Sequence, residues 1–483
     1  MAEKSLKKNA AYSTVRAIMT LVFPIITFPY ASRILMPEGI GRVNFANSIV
    51  SYFSMLAGLG ISAYATREAA KVRRDKVLLS KFSKEVFFIN LVSTFISYVL
   101  FFIALFCIPK FSEYRTLLLV CSTTIIFTTI GMGWLYSALE EFRYIAIRSI
   151  SFQFVSLIFL FLFVHTEEDY ILYALFGIIS SVGSNIYNFF YARKFIDFNI
   201  KTKLEFKPHL KPIFTFFGMS LVTSVYTMLD STMLGFLSGD VEVGYYSAAT
   251  KLNKMVLGIL TAVTGVLLPR LSFYAEKKDG GSFEKLVEKA MGIVILLGLP
   301  CTVGLILLAE PLVLLFSGSE YLPAILPMQV ISPIILIISI ASLTGTQILP
   351  SVNKEKTALA SYCLGAVTNV TMNYLLIPRY GALGAAIGTV GAETMVTGFQ
   401  IIILGKSLLK KSIIVNLLQS IVATVGMGIS VYFVVSHVEH VLLQIGMGVL
   451  AGVCVYAMLL FVLRNRYFVL YSSQLLGVLF HKR

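Results

Sequence analysis

Fourteen times along its length this chain writes an apolar stretch and then breaks it with a short polar link. Each stretch is close to the ~20 residues a helix needs to cross ~30 Å of hydrocarbon. Lipid offers no hydrogen bonds, so the backbone of each stretch must satisfy its own, as a helix does. The expected fold class is an all-α polytopic membrane protein with 14 transmembrane helices. The spans read as 11–34, 43–66, 86–108, 117–139, 147–164, 170–191 and 212–237, followed by 245–268, 290–308, 328–349, 358–377, 382–404, 413–435 and 441–463. With 57% hydrophobic and 13% charged residues, a soluble fold is excluded.

A net charge of +15 invites a nucleic-acid reading, but its distribution points elsewhere. With the N-terminus in the cytoplasm, 32 of the 40 Lys and Arg residues fall on the cytoplasmic side and five on the opposite side. That asymmetry follows the positive-inside rule, so both termini are expected in the cytoplasm and no nucleic-acid partner is needed. The opposite links include "HTEEDY" at 165–170, with three acids and no Lys or Arg. The basic start runs into a full-length span without a small-residue cleavage site, so the first span is expected to stay. Five cysteines lie within spans or at their ends without CxxC spacing, and read as small buried hydrophobes.

Self-comparison shows two copies of one unit. Gly41, Ala46 and Arg67 match Gly244, Ala249 and Arg270 at an offset of 203, and Ala174 and Gly177 match Ala385 and Gly388. An even number of spans per copy returns the chain to its starting side, so the repeats are parallel. Two such lobes around a central cavity suit alternating access. The predicted domains are an N-terminal lobe at 1–205, a C-terminal lobe at 206–407, and two additional helices with a tail at 408–483. The basic link "KFIDFNIKTKLEFKPHLKP" at 194–212 joins the lobes.

Three segments carry a family resemblance. "PYASRILMPEGIGRVNFANSIVSYFSMLAGLGISAYATREAAKVRRDK" in the first two spans, "GWLYSALEEFRYIAIRSI" after the fourth, and "LIPRYGALGAAIGTVGAE" around the twelfth resemble the Wzx-type polysaccharide repeat-unit flippases. Those proteins share a superfamily with lipid II flippases and multidrug and toxin extruders. The resemblance implies transfer of an undecaprenyl-pyrophosphate-linked oligosaccharide from the inner to the outer leaflet of the bacterial plasma membrane. It implies a lipid-linked oligosaccharide and the bilayer as partners, together with a polysaccharide polymerase and glycosyltransferases. It also implies a lipid-tail groove formed by the last two helices.

Charges inside spans are candidate sites, because each costs at least ~2.5 kcal/mol to insert. Arg16 and Arg33 both lie on the first span, 17 residues or ~25 Å of helix apart, so they cannot grip one phosphate together. Arg16 faces a cavity or snorkels inward; Arg33 marks an exit or snorkels to the outer interface. Arg67 and Arg270, at equivalent ends of the second and eighth spans, either anchor those ends or form a pair at a cleft mouth. There guanidinium forks would suit a diphosphate. Asp230 and Lys251 flank the hairpin of the seventh and eighth spans at similar depth, which suggests a pair and leaves Lys254 for an anion. Glu393 is a packing residue or a carboxylate for coupling to a H+ or Na+ gradient or the membrane potential. Glu140 and Glu141 read as a border charge network with Arg143 and Arg148.

Other functions fit less well. A drug or metabolite exporter of the same superfamily would favour acidic cavity residues for cationic cargo. A membrane glycosyltransferase or polymerase needs a sizeable outer loop, and the longest here, 309–327, holds only Glu310 and Glu320. No cofactor, catalytic set, metal set or nucleotide motif is legible. The topology is testable: reporter fusions after Glu168 and Gly239 should read outside, and one after Lys203 inside. An inside signal at Glu168 would invert every later link.

Overall fold

The computed structural model describes residues 6–265, 268–277, 279–405, 410–470 and 472, and among them there is no strand. The helices form two compact units, Met1–Gly244 and Tyr245–Arg483. Nine helical stretches are long and apolar enough to cross a membrane among the described residues. Two of these are far longer than one crossing needs, and the element order is consistent with fourteen crossings.

The first unit opens with α1 (Leu6–Gly58), whose 53 residues amount to ~80 Å of helix, more than twice the bilayer core. It is two crossings folded at Met36, which takes φ 56° and ψ 176° before Pro37. Proline lacks an N–H and excludes the helical conformation from the residue before it, so the ladder ends there. After α2 (Ile61–Val72), α3 (Lys76–Cys107) begins at Asp75, whose carboxylate accepts from the N–H groups of Val77 and Leu78 at 2.8 and 3.0 Å. This cap satisfies donors that a helix start leaves open. The next crossing is split into α4 (Arg115–Gly131) and α5 (Gly133–Ala138) by Met132, in the left-handed region at φ 42°. Then come α6 (Phe142–Phe163), α7 (Tyr170–Ile178) and α8 (Asn185–Ala192), the last two joined by a π-helical stretch, Ile179–Gly183. The linker follows the start of α3: Asp197 N–H donates to Ser80 Oγ at 2.9 Å and Lys84 Nζ to Ile200 O at 3.4 Å. It leads into α9 (Lys207–Leu237), which packs on α1 and α2 inside the same unit.

The second unit contains most of α10 (Asp240–Gly265), then α11 (Leu268–Glu276), α12 (Gly280–Leu307), α13 (Ala309–Phe316), α14 (Ile325–Ile331), α15 (Ile334–Ser342) and α16 (Leu349–Ser351). It ends with α17 (Glu355–Leu404), α18 (Lys411–His437) and α19 (Val441–Val462). Asp279 caps α12 as Asp75 caps α3, one repeat earlier. A π-helical stretch, Leu343–Ile348, interrupts the tenth crossing where Met132 interrupts the fourth, so both copies break the equivalent helix. In α17 the break is Gly381, at φ 53° and ψ −129°, a conformation open to glycine. The two additional helices, α18 and α19, dock on α12 through Leu296, Met427, Val431 and Tyr456, whose hydroxyl donates to Leu296 O at 2.7 Å.

Large apolar side chains such as Phe95, Phe106, Ile429 and Phe461 point out of the bundle, as a lipid-facing surface requires. Three of the cysteines expected to be buried, Cys107, Cys363 and Cys454, share that outward surface, while Cys121 is buried. In hydrocarbon an outward thiol meets the same apolar surroundings as a buried one. The expectation therefore erred on position and not on polarity.

Candidate functional site

Along the first half of α1, residues 13–18 are largely uncovered by protein, and Arg16 sits among them, exposed. Across from it on α6 is Arg148, close enough for the two positive charges to interact. Arg148 lies over the Tyr144 ring at 5.7 Å and donates to Asn185 Oδ1 at 3.3 Å, but its Nε is buried without a partner. Asn185 is linked to Asn188 at 3.2 Å, and Asn188 receives the hydroxyls of Tyr136 and Tyr144. Tyr191 stacks on Tyr144 at 4.2 Å, which completes an aromatic shelf under the guanidinium. Neither arginine has an acidic partner among the described residues. In the border charge network, Glu140 pairs with Arg73.

The other sequence candidates are placed as follows. Arg33 donates to Pro29 O on its own helix at 2.9 Å. Arg67 is paired with Glu68 at 3.0 Å and lies over Phe216 at 5.2 Å. Its repeat equivalent Arg270 is exposed on α11. Asp230 is buried on α9 close to Tyr52. Lys251 and Lys254 share α10, near enough to feel each other's charge. Glu393 is buried on α17 near Tyr362.

At the opposite end of the first unit the structure assembles a latch that no sequence pattern signalled. The bend of α1 and the turn before α10 meet there through two glycines. A Cβ on Gly41 would overlap the Asp240 carbonyl, and a Cβ on Gly244 would overlap the Pro37 carbonyl. These are the same two glycines that mark the repeat, each facing the other copy's turn. Around them, Tyr114 donates to the Asp240 carboxylate at 2.7 Å, and Arg42 Nε lies 3.5 Å from that carboxylate and 2.6 Å, through Nη2, from Glu38. Lys110 donates to Gly235 O in the last turn of α9, where a cation complements the helix end. Burial pushes the Asp240 carboxyl above the usual range, against the hydrogen bond from Tyr114 and the charges of Arg42 and Lys110.

Two parallel repeats of apolar helices with broken crossings and basic side chains inside the membrane segment define a membrane transporter fold. The chain belongs to the polysaccharide biosynthesis protein family, which it matches over residues 6–275. A match to the MatE family covers residues 216–375. A putative O-antigen transporter of Escherichia coli (strain K12) is 24% identical over 404 residues, covering 82% of this chain and 96% of that protein. The capsular polysaccharide biosynthesis protein CapF of Staphylococcus aureus is 24% identical over 396 residues, 79% of this chain and 94% of that one. The fold resembles the lipid II flippase MurJ in its inward closed conformation, with a TM-score of 0.72 and 18% identity over 93% of this chain and 97% of that one. An inward-facing multidrug resistance MATE transporter follows at a TM-score of 0.61 and 15% identity, covering 80% and 96%.

The latch is testable by labelling. In a cysteine-free background, Thr232→Cys places a thiol on α9 beside Ser48 and Tyr52 of α1. It should react slowly with a membrane-impermeant maleimide. Gly41→Leu or Gly244→Leu should raise that rate at least about tenfold, because overpacking here costs roughly 1–3 kcal/mol. Asp240→Ala should raise it less. Asp240→Asn, which keeps an acceptor for Tyr114 and loses only the charge 3.5 Å from Arg42, should change it least. Equal labelling of all variants would show that the contact does not restrict access.

Proposed function

We propose that the protein is a flippase that carries an undecaprenyl-pyrophosphate-linked oligosaccharide from the cytoplasmic to the outer leaflet of a bacterial plasma membrane by alternating access. The observation that carries this reading is the pair Arg16 and Arg148. Two guanidinium groups without an acid between them repel, and more strongly as the dielectric falls. A diphosphate relieves that repulsion, and guanidinium forks match its oxygens. The tyrosines beside Arg148 are stacked on one another and hold the guanidinium in place. Similarity over about four fifths of the chain to proteins named for O-antigen transport and capsular polysaccharide biosynthesis supports the same cargo class.

In this scheme Arg16 and Arg148 receive the head group on the cytoplasmic approach. Arg67 and Arg33 are the further basic candidates of the first unit, and Lys251, Lys254 and Arg270 are those of the second. Pro24 and Pro29 let α1 bend as access changes. Asp230 and Glu393 are buried carboxylates on which a H+ or Na+ gradient or the membrane potential would act. The MatE match favours a second reading, export of a small cationic compound. Such cargo would gain nothing from the arginine pair.

Cells lacking the protein should assemble the lipid-linked oligosaccharide and keep it on the cytoplasmic leaflet. At matched expression, Arg16→Ala should abolish its appearance outside, Arg16→Lys should keep part of the activity, and Arg33→Ala should be milder. Arg148→Ala should match Arg16→Ala. Wild-type transport by both Arg16→Ala and Arg148→Ala would remove the pair from the mechanism, and failure to assemble the oligosaccharide would replace transport with synthesis.

A further inference from the structure

The linker carries one histidine, and the structure gives it two partners that no transport step above uses. His209, at the start of α9, places Nε2 3.0 Å from Glu85 Oε2 and Nδ1 2.7 Å from the Tyr64 hydroxyl. Glu85 is 3% exposed and Tyr64 5%, so a carboxylate, an imidazole and a phenol form one buried chain across α3, α9 and α2. The second oxygen of Glu85 accepts the Glu205 N–H at 2.7 Å, which ties the linker to the same carboxylate.

A carboxylate only accepts, so Nε2 must donate to Glu85. In the neutral ring Nδ1 then accepts from Tyr64. When a proton binds Nδ1, the Tyr64 hydroxyl turns and accepts, so both hydrogen bonds survive and the Glu85 to His209 contact becomes an ion pair. The remaining charges nearby are Lys81, 3.8 Å from Glu85 and 4.0 Å from Glu205, with Arg67 and Glu68 on α2, Lys84 on α3, and Lys207 and Lys211 on α9 itself.

We propose that Glu85, His209 and Tyr64 form a proton-binding site that clasps the linker and sets how readily α9 leaves α2 and α3. Binding a proton tightens the clasp, because the hydrogen bond from His209 to Glu85 is then charged at both ends and both hydrogen bonds are kept. The effect on transport rests on the flippase reading; the proton site does not. The charge distribution places it at the cytoplasmic end, so it responds to cytoplasmic pH, and acidification slows flipping.

The only tryptophan of the chain supplies a readout that does not need transport. Trp134 packs against Phe82 at 6.1 Å, and Phe82 packs against His209 at 5.5 Å. A charge gained at His209 changes the field and packing that reach the indole through Phe82, so purified full-length protein should show a fluorescence transition on acidification. His209→Gln should abolish it, although the other four histidines remain. Glu85→Gln should weaken it, and Tyr64→Phe, which leaves the packing intact, should alter it. A transition unchanged in His209→Gln, or none in the wild type, overturns the site. In proteoliposomes, flipping should slow several-fold as lumenal or bath pH on the linker side falls. His209→Gln should be insensitive, and His209→Arg should be slow at every pH. A fluorescence transition together with pH-independent flipping overturns the gating. A wild type that titrates but moves no lipid-linked oligosaccharide overturns the flippase reading and leaves the proton site standing.

Discussion

Hydrocarbon cannot hydrogen-bond, so a backbone group released from a helix must find its partner inside the protein. The rest of the structure is arranged around that requirement. Where α1 nears its end, Asn90 and Ser93 of α3 both donate to Ala57 O, at 2.8 and 2.6 Å, and Ser97 donates to Phe53 O at 2.6 Å. The same device recurs in the second unit, where Asn416 of α18 donates to Gly292 O on α12. These polar side chains are buried because the carbonyls they serve are buried. They turn helix ends and breaks, which lipid would punish, into points where one helix is fixed to another.

Against that background the arginine pair stands out. Most buried polar groups described here are satisfied by a nearby carbonyl or hydroxyl, whereas Arg16 and Arg148 bring like charges together and Arg148 Nε has no partner. Arrangements of that kind lower stability, and they persist where a ligand completes them. The two ends of the first unit differ in the same terms. The latch joins α1 to the turn before α10 by close backbone contact, which bulk alone can block, whereas the Glu85, His209 and Tyr64 clasp is made of titratable groups.

Much of the fold was legible because periodicity and length report directly on the bilayer, and because the repeat left paired landmarks such as Gly41 with Gly244. The bends at Met36 and Gly381 fall at span boundaries that the hydropathy pattern already marked, although the backbone stays helical to either side. Other contacts were not legible: Arg73, the partner of Glu140, is 67 residues away in sequence. Tyr114 meets Asp240 across 126 residues and Glu85 meets His209 across 124. Spacing along one helix carries no information about such contacts. A histidine alone among the basic residues of the linker was the only available hint of the clasp.

The reciprocal contact of Gly41 and Gly244 bears on how such a chain could arise. In an unfused ancestor with one copy per subunit, both contacts would have been the same contact, seen from either side of a two-fold axis in a self-complementary dimer. Any side chain gained at that glycine would have struck the interface twice. Fusion of the copies halves that burden and lets the two turns diverge, so that one now reads Met36–Pro37 and the other Gly239–Asp240. The aspartate that Tyr114 and Arg42 hold stands at the proline's counterpart, and a charged latch on one side of the axis is open only to a chain whose halves are no longer required to be identical.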